Sequence, residues 1–118
     1  MERARRAIDV AETLVREGYP GDAVCRAYFA MFYAAQALLR AEDIHVTRHA
    51  AVVARFGEHF AKTGRVDPRF HRMLIDGRKA REVADYALDA AISEADAGEQ
   101  IEHARAFVAA IETVLGEG

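Results

Sequence analysis

The chain has 118 residues, 52% of them hydrophobic and 30% charged, with a formal net charge of −3. That length carries one core and leaves no room for a second, so a single domain over residues 1–118 is expected. The charge excludes a globally basic nucleic-acid binder, and no apolar run is long enough to span a bilayer.

β-Branched residues are scattered and alanine is abundant, which favours helix. The two prolines, Pro20 and Pro68, both sit at breaks in the pattern. The first helix is expected over roughly residues 2–17, with Ala4, Ala7, Ile8, Ala11, Leu14 and Val15 on one stripe. "GYPGD" interrupts it, and Asp22 is suited to cap a second helix over 22–42. That helix is apolar almost all round, which suits the centre of a bundle. Ala23, Ala27, Ala30, Ala34 and Ala37 form a small-residue column along it. A third helix is expected over 47–62, capped by Thr47 and ended at Gly64, with Val53, Phe56 and Phe60 facing inward. "VDP" starts a fourth, with Asp67 as N-cap and Pro68 at N1, running to about residue 88. "SEAD" is a capping-box start at Ser93 with Asp in place of Glu. The fifth helix carries Ile101, Ala104, Val108, Ile111 and Leu115 at 3-4-3-4 spacing. Short connections make neighbouring helices antiparallel. The expected fold is all-α, an up-down four-helix bundle with an additional C-terminal fifth helix.

Arg81 does not fit the amphipathic pattern of its helix. At 100° per residue, Phe70, Leu74, Gly77, Ala84 and Leu88 share one face of the fourth helix, and Arg81 falls near its middle. Asp85 is one turn later and Arg78 is on the same edge, one turn earlier. Two readings follow. One is an ion pair of Arg81 with Asp85, since a buried guanidinium needs a partner. The other is an anion site in a crevice, which the planar guanidinium fork suits. The six cations from Arg65 to Arg81 and the seven acids from Glu82 to Glu102 read on charge alone as solvated helix faces.

On the second helix, Asp22, Arg26, Phe29, Tyr33, Gln36 and Arg40 form a narrow stripe. Arginine and glutamine among aromatics suit a protein–protein seam, with a homodimer the simplest case; Arg26, Phe29, Tyr33 and Gln36 are its expected interface residues. The same pattern suits base stacking with phosphate contacts. His49 lies in line with Val53 and Phe56, where a lone histidine is usually a core residue. His45 and His49 are four apart, but a zinc site needs three or four ligands, so no metal and no cofactor is expected. No Gly-rich phosphate loop or nucleophile motif appears. Cys25, inside an apolar helix, reads as packing. "MERARRAIDVAETL" has no apolar signal-peptide core, and a single cysteine forms no intrachain disulfide. A cytoplasmic protein without a membrane segment is the expectation.

"RAYFAMFYAAQALL", "RHAAVVARFGEHFAKTGRVD" and "REVADY", in this order, resemble the HEPN domain (higher eukaryotes and prokaryotes nucleotide-binding), in particular its small stand-alone prokaryotic branch. The likeness covers about residues 5–115. It implies a helical bundle with a fifth helix, homodimerisation, and action beside a separate minimal nucleotidyltransferase in a toxin–antitoxin-like pair. Active members of the family are metal-independent ribonucleases with an Arg, four to six residues, then a His, at the dimer cleft. The matching stretch here runs from Arg81 to Tyr86, so tyrosine stands at the histidine position. Histidine exchanges protons near neutral pH, whereas a tyrosine with its ordinary pKa of about 10 is a poor base. "RAEDIH", Arg40 to His45, also fits the spacing but lies at the end of the second helix, away from the family position.

The resemblance implies nucleotide or RNA binding at a crevice holding Arg78, Arg81, Asp85, Tyr86 and His49, without catalysis. The alternatives are an RNA endonuclease toxin, using Arg81 with Tyr86 or with a histidine brought in by folding, and a purely structural helical adaptor.

Overall fold

The computed structural model describes residues 1–86 and 92–117. It consists of α1 (Glu2–Arg16), α2 (Pro20–Ala41), α3 (His49–Phe56) with a π-helical turn (Gly57–Ala61), α4 (Pro68–Tyr86) and α5 (Glu94–Glu117). No strand occurs among the described residues, and none of their helices is long and apolar enough to cross a membrane. The all-α bundle matches the sequence expectation. Leu88 and the expected end of the fourth helix lie outside the described residues.

α2 is the axis of the bundle, and α1, α3, α4 and α5 all pack on it. Its alanine column faces inward, with Ala23, Ala27, Ala30 and Ala34 fully buried. Ala4, Ala7 and Ala11 of α1 are buried as well, so the closest helix pair is built from small side chains. The other side of the core is aromatic. Phe56, Phe60, Phe70 and Phe107 are buried, with Phe107 5.3 Å from Phe56 and edge-on to Phe70 at 6.2 Å. The spacing of α5 anticipated Ile101, Ala104, Val108 and Ile111, all buried, but not Phe107 between them. The expected extra helix is thus a full wall of the core, packed along α2 and α1.

Helix ends explain most departures from the expected boundaries. α1 closes in a Schellman motif: Gly18 takes φ +86°, its N–H donates to the Val15 carbonyl, and the N–H of Tyr19 donates to Leu14. Pro20 then enters at the first turn of α2, where its missing N–H costs nothing. α2 therefore begins two residues before the expected Asp22, which makes no side-chain cap. At the other end, Asp43 takes the left-handed position at φ 62°, and the Ile44 N–H reaches the Leu39 carbonyl at 2.9 Å. Asp67 caps α4 as expected, accepting from the Arg69 N–H at 3.0 Å. The Ser93–Asp96 capping box of α5 is complete, with reciprocal bonds of 3.0 and 3.1 Å.

The third helix differs most. Thr47 is not its cap; Arg48, in extended conformation, precedes a helix that starts at His49. The helix also does not run evenly to residue 62. It widens into the π turn, closed by the Lys62 N–H on the Gly57 carbonyl at 2.8 Å. His71 of α4 packs against this junction: its Nε2 lies 3.0 Å from the Val53 carbonyl oxygen, and its ring occupies the space beside Gly57. Gly64, at φ +77°, ends the segment as expected.

Two alanine substitutions test this packing in opposite directions. A Cβ on Gly57 would lie 2.5 Å from the His71 ring, so Gly57→Ala must displace the ring, at a cost of about 1–3 kcal/mol. A Cβ on Gly98, in the interior of α5, meets nothing within 4 Å, so Gly98→Ala should gain about 0.5–1 kcal/mol. Urea denaturation should put the midpoints on opposite sides of wild type; equal midpoints would refute the close approach at Gly57.

Candidate functional site

α2 leaves one strip uncovered. Arg26, Phe29, Tyr33 and Gln36 are all only half-buried, and Asp22 and Arg40 at its ends are exposed. Neighbouring elements place polar groups against this strip.

α4 brings Arg81 to it. The guanidinium carbon lies 5.1 Å from the centre of the Phe29 ring, and Arg26 approaches the same ring at 5.0 Å. Arg81 Nε is 3.2 Å from Asp85 Oδ2, and its side chain remains 31% exposed. It is thus a paired, half-exposed cation backed by an aromatic ring. The other oxygen of Asp85 accepts from the Cys25 thiol at 3.5 Å. Burial, then the Asp85 carboxylate, pushes the Cys25 thiol up to about 11, so Cys25 stays protonated and is no nucleophile at neutral pH.

α3 brings His49 to the same place. Because the helix begins at His49, the ring projects over α2, stacked on Phe32 at 4.3 Å with an interplanar angle of 15°. Phe29 meets it edge-on at 5.6 Å. Its Nδ1 is 2.8 Å from the Tyr28 hydroxyl. Tyr28 is fully buried, and a buried phenol needs a partner for its hydroxyl; His49 is that partner. Burial holds the His49 imidazole below its ordinary value, and the positive charges of Arg81 and Arg78 push the same way. Burial also raises the Tyr28 phenol to about 12, against the pull of Arg78 and Arg81. At neutral pH the pair is therefore a neutral imidazole beside a neutral phenol. Nε2 of His49 has no hydrogen-bond partner among the described residues.

The structure thus brings Arg78, Arg81, Asp85 and His49 around Phe29 and Tyr28. Arg78 itself lies 3.9 Å from Glu82. Tyr86 stands apart, 84% exposed at the end of α4. Along the expected α2 seam, Gln36 Nε2 donates to the Val46 carbonyl at 2.9 Å, and Arg3 covers the Tyr33 ring at 4.2 Å. His45 is not on a helix with His49; it is exposed and lies 2.9 Å from Asp43. No group of three or more metal-ligating side chains occurs among the described residues. Sequence reasoning missed the Tyr28–His49 pair and the Cys25–Asp85 contact. Their partners are 21 and 60 positions apart, and only the need of a buried tyrosine for a partner hints at the first.

The lowered imidazole sets a pH dependence. The unfolded chain binds a proton at His49 more readily than the folded chain does. The stability from neutral His49 is therefore fully present above about pH 6.5 and lost as pH falls towards the lower folded value. Wild type should lose more stability than His49→Gln between about pH 7.5 and 5.5, read as the shift in urea midpoint. Equal shifts in the two proteins would exclude a depressed His49.

A family model described as HEPN domain matches residues 1–114. A UPF0332 protein of Gloeobacter violaceus is 37% identical over 86 residues, covering 73% of this chain and 68% of that protein. A UPF0332 protein of Thermotoga maritima is 33% identical over 116 residues, covering 96% and 86%. A Methanocaldococcus jannaschii protein bearing the name "Putative toxin MJ0605" is 32% identical over 117 residues, covering 99% and 87%. With a helical bundle and a match across nearly its whole length, the chain belongs to the HEPN domain family.

Proposed function

We propose that this HEPN chain is a homodimer that binds a nucleotide or RNA segment at the Arg81 crevice and acts with a separate minimal nucleotidyltransferase. The observation that carries the binding is the state of Arg81. Asp85 approaches it at Nε, and no hydrogen bond of its terminal nitrogens occurs among the described residues. A half-exposed i, i+4 pair of this kind contributes only about 0.3–0.5 kcal/mol, too little to explain a guanidinium on an apolar helix face. Two terminal nitrogens backed by Phe29 suit two phosphate oxygens. A neighbouring neutral imidazole and aromatic edges suit a base or ribose. The homodimer and the nucleotidyltransferase partner rest on family membership.

The test compares wild type, Arg81→Ala and Arg81→Lys, with fluorescent nucleotide and RNA binding and pull-down of the native protein as readouts. Arg81→Ala should weaken binding at least tenfold, about 1.4 kcal/mol or more, with Lys intermediate. Unchanged binding of nucleotide, RNA and partner protein would sink the reading and leave the helical adaptor.

His49 favours one second reading, a metal-independent RNA endonuclease acting as a toxin. Tyr86 stands where the family motif has histidine, but the fold supplies a neutral histidine to the Arg81 cluster. In the tautomer whose Nδ1–H donates to the Tyr28 oxygen, Nε2 carries no hydrogen and is the nitrogen that takes a proton, with Arg81 beside it to stabilise charge on phosphate. Expression should then arrest growth, and either His49→Ala or Arg81→Ala should relieve the arrest. Harmless expression of wild type would count against catalysis while leaving the binding reading intact.

A further inference from the structure

α1 and α2 enclose two adjoining grooves of about 160 and 210 Å³. Both are lined by Arg3 and Tyr33. Arg40 and Gln36 extend the first, and Arg6 and Arg26 the second. No acid lines either groove, although the chain has 19 Asp and Glu against 16 Lys and Arg. The four arginines have no carboxylate within 4 Å among the described residues, whereas Arg5, on the neighbouring face of α1, is paired with Glu112.

The placement of these guanidiniums is also specific. Arg3 lies over the Tyr33 ring at 4.2 Å and its Nη2 is 3.4 Å from the Tyr33 hydroxyl. Arg26 lies over Phe29 at 5.0 Å, on the ring that also backs Arg81. Arg26, which lines the second groove, thus shares the Phe29 ring with Arg81, although Phe29 itself lines neither groove. From Arg26 to Arg40 the strip follows α2 for about 21 Å, at ~1.5 Å per residue. Asp22, one turn before Arg26 on α2, and Glu2 and Asp9, within one turn of Arg6 on α1, line neither groove.

We infer that this strip is a track for a single-stranded nucleic acid, whose phosphates meet Arg3, Arg6, Arg26 and Arg40 while one nucleotide occupies the Arg81 site. Arginines alternating with aromatics match the electrostatic and stacking needs of an unpaired strand. A second copy of the chain fits less well. A two-fold contact through this strip would set arginines against arginines, so the homodimer proposed above pairs through another face than the seam expected at Arg26, Phe29, Tyr33 and Gln36. The inference rests on the binding reading above and extends it from one nucleotide to several.

The experiment measures binding of a short fluorescein-labelled oligouridylate, with oligothymidylate and uridine monophosphate in parallel arms, across a salt series. The variant Arg3→Gln/Arg6→Gln/Arg40→Gln changes only exposed side chains, and circular dichroism verifies its fold. A control, Arg55→Gln/Lys62→Gln/Arg72→Gln, removes the same charge from exposed positions on other elements. For single strands the slope of log affinity against log salt is about −0.7 per phosphate neutralised. The track variant should lose about 2 units of slope and at least tenfold in oligonucleotide affinity, while mononucleotide binding and the control stay at wild-type values. Equal slopes in both triple variants would overturn the track and leave the Arg81 reading standing. Absence of oligonucleotide and mononucleotide binding in wild type would overturn both. If an acidic polypeptide competes as well as the oligonucleotide, the partner class is wrong. Comparable binding of both oligonucleotides means that phosphates alone are read; a preference for oligouridylate adds a contact to the 2′-hydroxyl.

Discussion

An α-helix that is apolar on almost every side is stable in water only when other elements enclose it. α2 imposes this requirement on the rest of the chain. Its interior face holds Tyr28, Met31, Phe32, Leu38 and Leu39 as well as the alanine column, and four helices are arranged to cover them. The cover is incomplete along one strip, and the polar features of the molecule attach there. Arg81, His49 and Arg3 come from three different elements, α4, α3 and α1, and converge on it. The candidate site is the part of α2 that the bundle does not close over.

Side-chain size decides where that gap falls. On the α1 side, alanine faces alanine, so the backbones approach closely. Closeness lets Arg3 at the start of α1 reach across to Tyr33 on α2. On the far side, four phenylalanines and Met31 fill the space between α2, α4 and α5. Gly77 of α4 relieves a close contact there, since a Cβ would lie 2.5 Å from the Met31 methyl. α4 can then lie near enough to α2 for Arg81 to rest on Phe29. The arginine on an apolar face is therefore not a buried ion but a side chain at the margin of the core, with an aromatic ring beneath it and water on its outer side.

Much of this was legible in the sequence because it is local. Asp67-Pro68, Ser93-Glu-Ala-Asp96 and Gly64 mark helix ends by chemistry confined to a few residues, and the structure has those ends. The buried stripes of α1 and α5 follow from spacing alone, as does the anomaly at Arg81. What was not legible depends on distant partners. The early start of α2 required Pro20 to outweigh Asp22 as a boundary. The contact of His71 with the α3–π junction reaches back 18 positions to the Val53 carbonyl. His49 looked like a core residue because its line along the helix was right; its pairing with Tyr28 depends on how the α2–α3 connection is folded.

That connection has a consequence of its own. Between Ala41 and His49 the chain has no helix; it is held at its start by backbone bonds to Leu39 and Arg40 and by the Glu42–Arg65 ion pair, and beyond residue 44 by the Gln36–Val46 hydrogen bond and the half-buried side chains of Ile44 and Val46. The anchors beyond residue 44 can release while the remainder of the bundle stays intact, and such sub-global opening costs far less than complete unfolding. His49 sits at the hinge of that segment. Native-state hydrogen exchange around residues 44–50 would therefore report the fraction of time that the histidine is in place, a quantity that global stability does not fix.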